Sequence, residues 1–113
     1  MKEKGFTLIE LLVTIAVLGI LAVFAIPQMA AYRTRAFNAR AESDLRNLIT
    51  AEEAYWVDYQ TYTTITSALP GFKASADVTV QVTAATTTFF RAWAKHTYGD
   101  RTYWFNTIIG KIH

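Results

Sequence analysis

One carboxylate stands at the head of a segment otherwise built for lipid. Residues Lys4-Gly5-Phe6-Thr7-Leu8-Ile9-Glu10 lead into an apolar run from Leu11 to Ile26. A charge at membrane depth costs roughly 2.5 to 3.5 kcal/mol on insertion scales, so an acid there marks a functional site by default. A basic leader and a Gly-Phe junction lie just before it. Together these residues suggest a segment that is cut, held in a membrane and then paired with something.

The 113 residues suffice for one domain of ordinary size. A hydrophobic fraction of 52% is high for a small soluble domain, and the N-terminal run supplies part of the excess. The formal net charge is +2, of which Lys2, Glu3 and Lys4 contribute +1. That balance gives no case for nucleic-acid binding through bulk charge. Cysteine is absent, which excludes disulfides, thiolate metal sites and cysteine nucleophiles.

Residues 1–29 admit a secretory signal peptide, with Lys2 and Lys4 as a basic start and Val23-Phe24-Ala25 as a loose cleavage site. The apolar run is longer than such peptides use, and Glu10 sits at its start. A plain membrane anchor fits by length: a helix from Phe6 to Met29 extends about 36 Å against a hydrocarbon core of ~30 Å. It leaves Glu10 unexplained. It also meets a charge conflict, because Lys2 and Lys4 favour a cytoplasmic N-terminus while Arg33, Arg35 and Arg40 favour the opposite.

The stretch from Lys4 to Leu12 resembles the processing and assembly signature of type IV pilins and pseudopilins. Gly19, Pro27, Gln28-Met29-Ala30-Ala31-Tyr32 and Ser43-Asp44-Leu45-Arg46-Asn47-Leu48 continue the likeness. The resemblance implies that Gly5 ends a leader cut by a prepilin peptidase on the cytoplasmic side. Phe6 becomes the mature, N-methylated terminus, and Glu10 pairs with the Phe6 amine of a neighbouring subunit. A buried carboxylate needs a partner, and a fresh ammonium is a suitable one. Expected partners are identical subunits, the peptidase and methyltransferase, the inner-membrane assembly platform and the membrane before assembly. DNA is a possible partner without support in the sequence. The precursor is expected in the inner membrane with its head in the periplasm, and the assembled filament at the cell surface. The use of that filament would be adhesion, twitching motility or DNA uptake. A pseudopilin of a type II secretion or competence system shares the same signature, and a membrane-anchored or secreted binding module is a reading from another class.

The implied fold is α+β: one long N-terminal helix whose C-terminal half packs on a small antiparallel sheet of three to four strands. We divide the chain into a leader (1–5), an apolar helix half (6–29), an amphipathic helix half (30–59) and a sheet head (60–113). Pro27 lacks the donor for the Val23 carbonyl and Gly19 weakens the helix further, so both are expected weak points. A simple kink is the alternative. After Pro27, Phe37, Ala41, Leu45, Leu48 and Tyr55 recur at helical steps, while Arg40, Glu42, Asp44 and Arg46 mostly occupy the remaining surface. Arg33, Arg35 and Arg40 read as a charged face with ion pairs to Glu42 and Asp44, or as a phosphate-facing collar.

Residues 60–76 read as a loop, with Pro70-Gly71 as a turn signal. Val78, Val80 and Val82 alternate with polar residues as a half-buried strand. Further strands are expected over about Thr87 to Tyr98 and Arg101 to Ile109, joined by a two-residue turn at Gly99-Asp100. That turn sets Tyr98 opposite Arg101, His96 opposite Tyr103 and Ala94 opposite Phe105. Phe90, Ala92, Ala94, His96, Tyr103 and Phe105 then share the face toward Leu45, Leu48 and Tyr55. Trp93 and Trp104 lie diagonally on the other, as a contact or adhesive patch unless residues 108–113 fold back over them. No catalytic, metal or cofactor site is expected. His96 reads as a core-face residue, and Asp77 and Asp100 are too sparse for a calcium site. Aromatics along the helix read as packing rather than a path for charge.

Overall fold

The structure, a computed structural model, describes residues 5–113. Lys2, Glu3 and Lys4 of the expected leader lie outside the described residues. The elements are a helix α1 (Leu8–Tyr59), a single 3-10 turn (Thr66–Ala68) and four strands: β1 (Val78–Ala85), β2 (Phe90–His96), β3 (Thr102–Asn106) and β4 (Lys111–Ile112). The chain separates into two compact units, divided between Arg33 and Thr34.

In the first unit α1 begins at Leu8, two residues later than the expected Phe6, because Thr7 caps it. The helix runs through Gly19 and Pro27 unbroken. Its side chains from Leu8 to Met29 are exposed, Ile20 at 62% and Phe24 at 69% among them. It is the one helix among the described residues that is long and apolar enough to cross a membrane. Apolar surface of this extent exceeds what a solvated face carries and demands a lipid or protein cover.

The second unit is built on the other half of α1. Ala41, Leu45, Leu48 and Ala51 form the buried stripe, and Tyr55 lies partly buried against the same core. Phe90, Ala92, Ala94, Tyr103 and Phe105 supply the facing sheet surface, with Val78, Val82 and Leu69 at its margins. The small alanines of β2 leave room for the leucines of α1. The stripe also includes two carboxylates that do not belong to the expected solvated surface. Asp44 is 4% exposed and Glu52 fully buried. They occupy apolar-stripe positions because Asp44 accepts hydrogen bonds from the Ser75 backbone N–H (2.7 Å) and hydroxyl (2.9 Å), and Glu52 accepts one from the Thr63 N–H (3.1 Å). Both fasten the loop 60–76 to the helix. Asp44 therefore does not pair with the arginines before it, and Glu42 pairs with Arg46 at 2.8 Å.

α1 ends where Gln60 turns left-handed (φ 55) and returns its backbone N–H to the Trp56 carbonyl at 2.7 Å. Pro70-Gly71 forms the expected turn: Gly71 has φ 72, and the Phe72 N–H reaches the Leu69 carbonyl at 3.4 Å.

The strands are antiparallel in the order β1-β2-β3-β4. The faces are as the alternation requires, but the register between β2 and β3 differs from the expected one by two residues. Ala94 faces Tyr103 and Ala92 faces Phe105, and Trp93 sits directly opposite Trp104, not diagonally. The two-residue turn is replaced by a five-residue connection, 97–101. Its first three N–H groups go to the Asp77 carbonyl and to His96, and the last two go to the helix. The Asn38 side-chain oxygen accepts from the N–H groups of Asp100 (3.2 Å) and Arg101 (3.3 Å), and its amide donates to the Asp100 carboxylate at 2.7 Å. β2 starts later than expected because the Thr86 hydroxyl accepts from the Thr88 and Phe89 N–H groups and turns the chain. β3 stops at Asn106, whose carbonyl accepts from Ile109 (3.1 Å) and Gly110 (2.9 Å), and the chain returns as β4. Residues 111–113 thus pair along the edge of β3. They do not cover the tryptophans, and Trp104 stays 39% exposed.

Candidate assembly site at the helix N-terminus

Thr7 and Glu10 bond reciprocally. The Glu10 N–H donates to the Thr7 hydroxyl at 3.2 Å, and the Thr7 N–H donates to Glu10 Oε2 at 3.3 Å. This is a capping box, which satisfies two of the donors a helix start leaves unpaired. The spacing Thr-x-x-Glu is its sequence signal, hidden in the sequence behind the acid that stands at the head of an apolar run. A carboxylate in the first turn also meets the positive end of the helix dipole. Glu10 therefore has a local role before any partner arrives.

Phe6 precedes the cap and is 90% exposed; Gly5 is exposed beside it. Among the described residues beyond its chain neighbours, no atom stands within 4 Å of where a Cβ on Gly5 would lie. The Oε1 atom of Glu10 forms no hydrogen bond among the described residues. One carboxylate oxygen thus holds the helix start, and the other is open to a donor from outside. Thr14 turns its hydroxyl back to the Glu10 carbonyl at 2.8 Å, which keeps that polar group off the lipid-facing surface.

Of the remaining residues singled out from the sequence, Gly19 and Pro27 lie within α1, far along the chain from the cap, and Leu45, Leu48, Tyr55, Phe90, Tyr103 and Phe105 lie in the second unit. His96 is 1% exposed and stacks on Phe37 with ring centroids 4.4 Å apart. Its Nδ1 accepts from the Tyr98 N–H at 3.1 Å, which puts the ring proton on Nε2. Among the described residues no group of three or more His, Asp or Glu side chains could hold a metal ion.

Residues 1–26 match the family model of the prokaryotic N-terminal methylation motif. Over 107 residues the chain is 38% identical to the type IV wide pilus major component PilA4 of Thermus thermophilus, covering 92% of this chain and 80% of that protein. This chain belongs to the type IV pilin family. It is also 36% identical over 61 residues to the type IV major pilin protein PilA of Myxococcus xanthus, a match that spans 54% of this pilin and 28% of the other. The type II secretion system core protein G of Vibrio cholerae is 36% identical over 63 residues, 56% of this pilin and 43% of that protein. The likeness to the Thermus protein extends through most of the head, whereas these longer relatives share only about half of this pilin.

Proposed function

We propose that this pilin is a structural subunit of a type IV pilus, waiting in the inner membrane with its head in the periplasm and polymerising through its N-terminal helix into a surface filament. The observation that carries the reading is the exposed apolar half of α1, headed by a carboxylate with one oxygen in the cap and one open. Cleavage after Gly5 by a prepilin peptidase frees the Phe6 amine, which is then N-methylated. That cation does not exist in the precursor, so processing and assembly are linked. When a new subunit docks, the open oxygen of Glu10 takes up the terminal ammonium of a neighbour, compensating both charges as apolar helices close around them. The same apolar face serves the lipid first and other subunits afterwards, handed over at the assembly platform. The head sets the filament surface and so its use in adhesion, twitching motility or DNA uptake.

Glu10 substitutions test the pairing and separate it from the cap. Glu10→Gln keeps an acceptor for the Thr7 N–H but loses the charge. Membrane insertion and cleavage should persist in Glu10→Gln and Glu10→Ala, with neither forming filaments. Normal filaments from Glu10→Gln would show that the cap, not the charge, is what assembly needs. The likeness to the Vibrio secretion protein supports a second reading, a pseudopilin building a short periplasmic filament. Electron microscopy of sheared surface material separates the two: long filaments containing this chain favour the pilus.

A further inference from the structure

The turn between β3 and β4 carries two isoleucines that the head leaves uncovered. Ile108 is 78% exposed and Ile109 53%. One residue holds the turn. Asn106 accepts from the Ile108 N–H through its side chain (2.9 Å), and from the Ile109 (3.1 Å) and Gly110 (2.9 Å) N–H groups through its carbonyl. Gly110 supplies the left-handed step (φ 74) that sends the chain back as β4. The isoleucines therefore stand on a fixed backbone, and a partner that covers them has little ordering to impose. Lys111 follows them, exposed and without an ion-pair partner among the described residues.

The opposite flank of the same head carries a hollow. Ala51 and Ala54 of α1, with Pro70 and Phe72 of the loop, line about 420 Å³. That is more than ten times the roughly 30 Å³ of one water, so the hollow admits side chains. Lys73 stands on its rim. Asp58 lies one turn beyond Ala54 on the same side of α1, exposed and without an ion-pair partner among the described residues. The loop is tied to β1: the Tyr62 N–H donates to the Thr86 carbonyl (3.0 Å), and the Val78 N–H to the Ser75 carbonyl (3.2 Å). The isoleucine turn belongs to the β4 side, where Gly110 and Lys111 share a groove with Arg46 and Ile49 on the other flank of α1. β1 and β4 are the two outer strands of the sheet. Knob and hollow thus stand at opposite edges and cannot meet within one chain.

We propose that the Ile108-Ile109 turn of one subunit seats in the hollow of a second copy, with Lys111 against Asp58 of that copy. Exposed isoleucines gain a cover, and an unpaired cation meets an unpaired anion. Lys73 shares the rim of the hollow, so Lys111 approaches on the Asp58 side. A like-with-like contact would set Lys111 against Lys111 and leave the hollow unfilled. Two different patches make a heterologous contact, which passes from copy to copy and need not close on a pair. A filament requires that geometry. The contact rests on the filament reading proposed above, and it adds which two surfaces of the head meet.

The chain has no cysteine, so introduced ones report alone. Filaments of Ile109→Cys/Ala54→Cys should give a ladder of disulfide-linked multimers on oxidation with copper phenanthroline. Filaments of Lys95→Cys/Ala54→Cys, and of each single variant, should give no ladder. Lys111→Glu and Asp58→Lys should each lower the temperature at which sheared filaments dissociate, and combining them should restore most of the loss. Ile108→Ser/Ile109→Ser should lower it too. The denaturation midpoint of that variant's subunit in nonionic detergent should match the wild type's, because both side chains are already exposed. Three results would overturn this contact while leaving the filament reading in place: normal filament stability in Ile108→Ser/Ile109→Ser; additive losses in Lys111→Glu/Asp58→Lys; or intact filaments of Ile109→Cys/Ala54→Cys that give no ladder. A wild-type chain that forms no filaments by electron microscopy would remove the filament reading, and this contact with it.

Discussion

Glu10 and Glu52 are two carboxylates in positions where hydrophobic periodicity expects leucine, and each is kept by a backbone donor. Glu10 holds Thr7, and Glu52 holds Thr63. Their settings differ: Glu10 is exposed until something covers it, whereas Glu52 is already enclosed and its Oε1 has no partner among the described residues. Burial pushes the Glu52 carboxyl above its ordinary value of 4.5, against the Thr63 bond that lowers it, and the Glu53 charge adds to the rise. Below that ordinary value both folded and unfolded chains hold the proton, and Glu52 costs nothing. As pH rises past it the unfolded chain releases its proton first, so stability falls until the folded carboxyl ionises as well. Glu52→Gln removes this proton, and its denaturation midpoint should vary less than the wild type's between pH 4.5 and neutrality, as read by tryptophan fluorescence. Asp44→Ala should cost about 1 to 3 kcal/mol in the same assay, because it strips two hydrogen bonds from Ser75.

At the scale of elements, alternation and helical period were sufficient to place α1 and the faces of β1, β2 and β3, because side-chain direction follows directly from backbone period. Register was not legible in the same way. A two-residue slip preserves every face, so hydrophobic pattern could not distinguish Ala94 opposite Tyr103 from Ala94 opposite Phe105. What decides it is Asn38, sixty-two residues away, whose side chain takes up the backbone of the turn. The capping box was legible as Thr-x-x-Glu but was masked by the more conspicuous acid-in-lipid reading. Asp44 and Glu52 were not legible, since their partners lie in a loop without periodicity. The Asn38 latch is testable. A Cβ on Gly99 would meet the Asn38 oxygen at 2.5 Å. Gly99→Ala should therefore destabilise the head, and should cost less when Asn38 is already alanine, a coupling that a double-mutant cycle of denaturation free energies reads directly. Equal costs in both backgrounds would place the strain elsewhere. Gly71→Ala, at φ 72, should cost about 1 kcal/mol from backbone strain alone.

For the whole molecule, an apolar helix half with nothing over it is paired with a head that closes its own core. The head buries a core of its own, while the apolar side chains of the first unit are exposed. In the function we propose, lipid and then other subunits supply that cover in turn, and the new cation at Phe6 is the switch between them. The most direct measurement is N-terminal sequencing with intact mass on filaments sheared from the cells that make this pilin. The expected result is a chain beginning at Phe6, carrying one added methyl group and ending the leader at Gly5. Filaments built from a chain that begins near Ile26, or that retains residues 1–5, would contradict it.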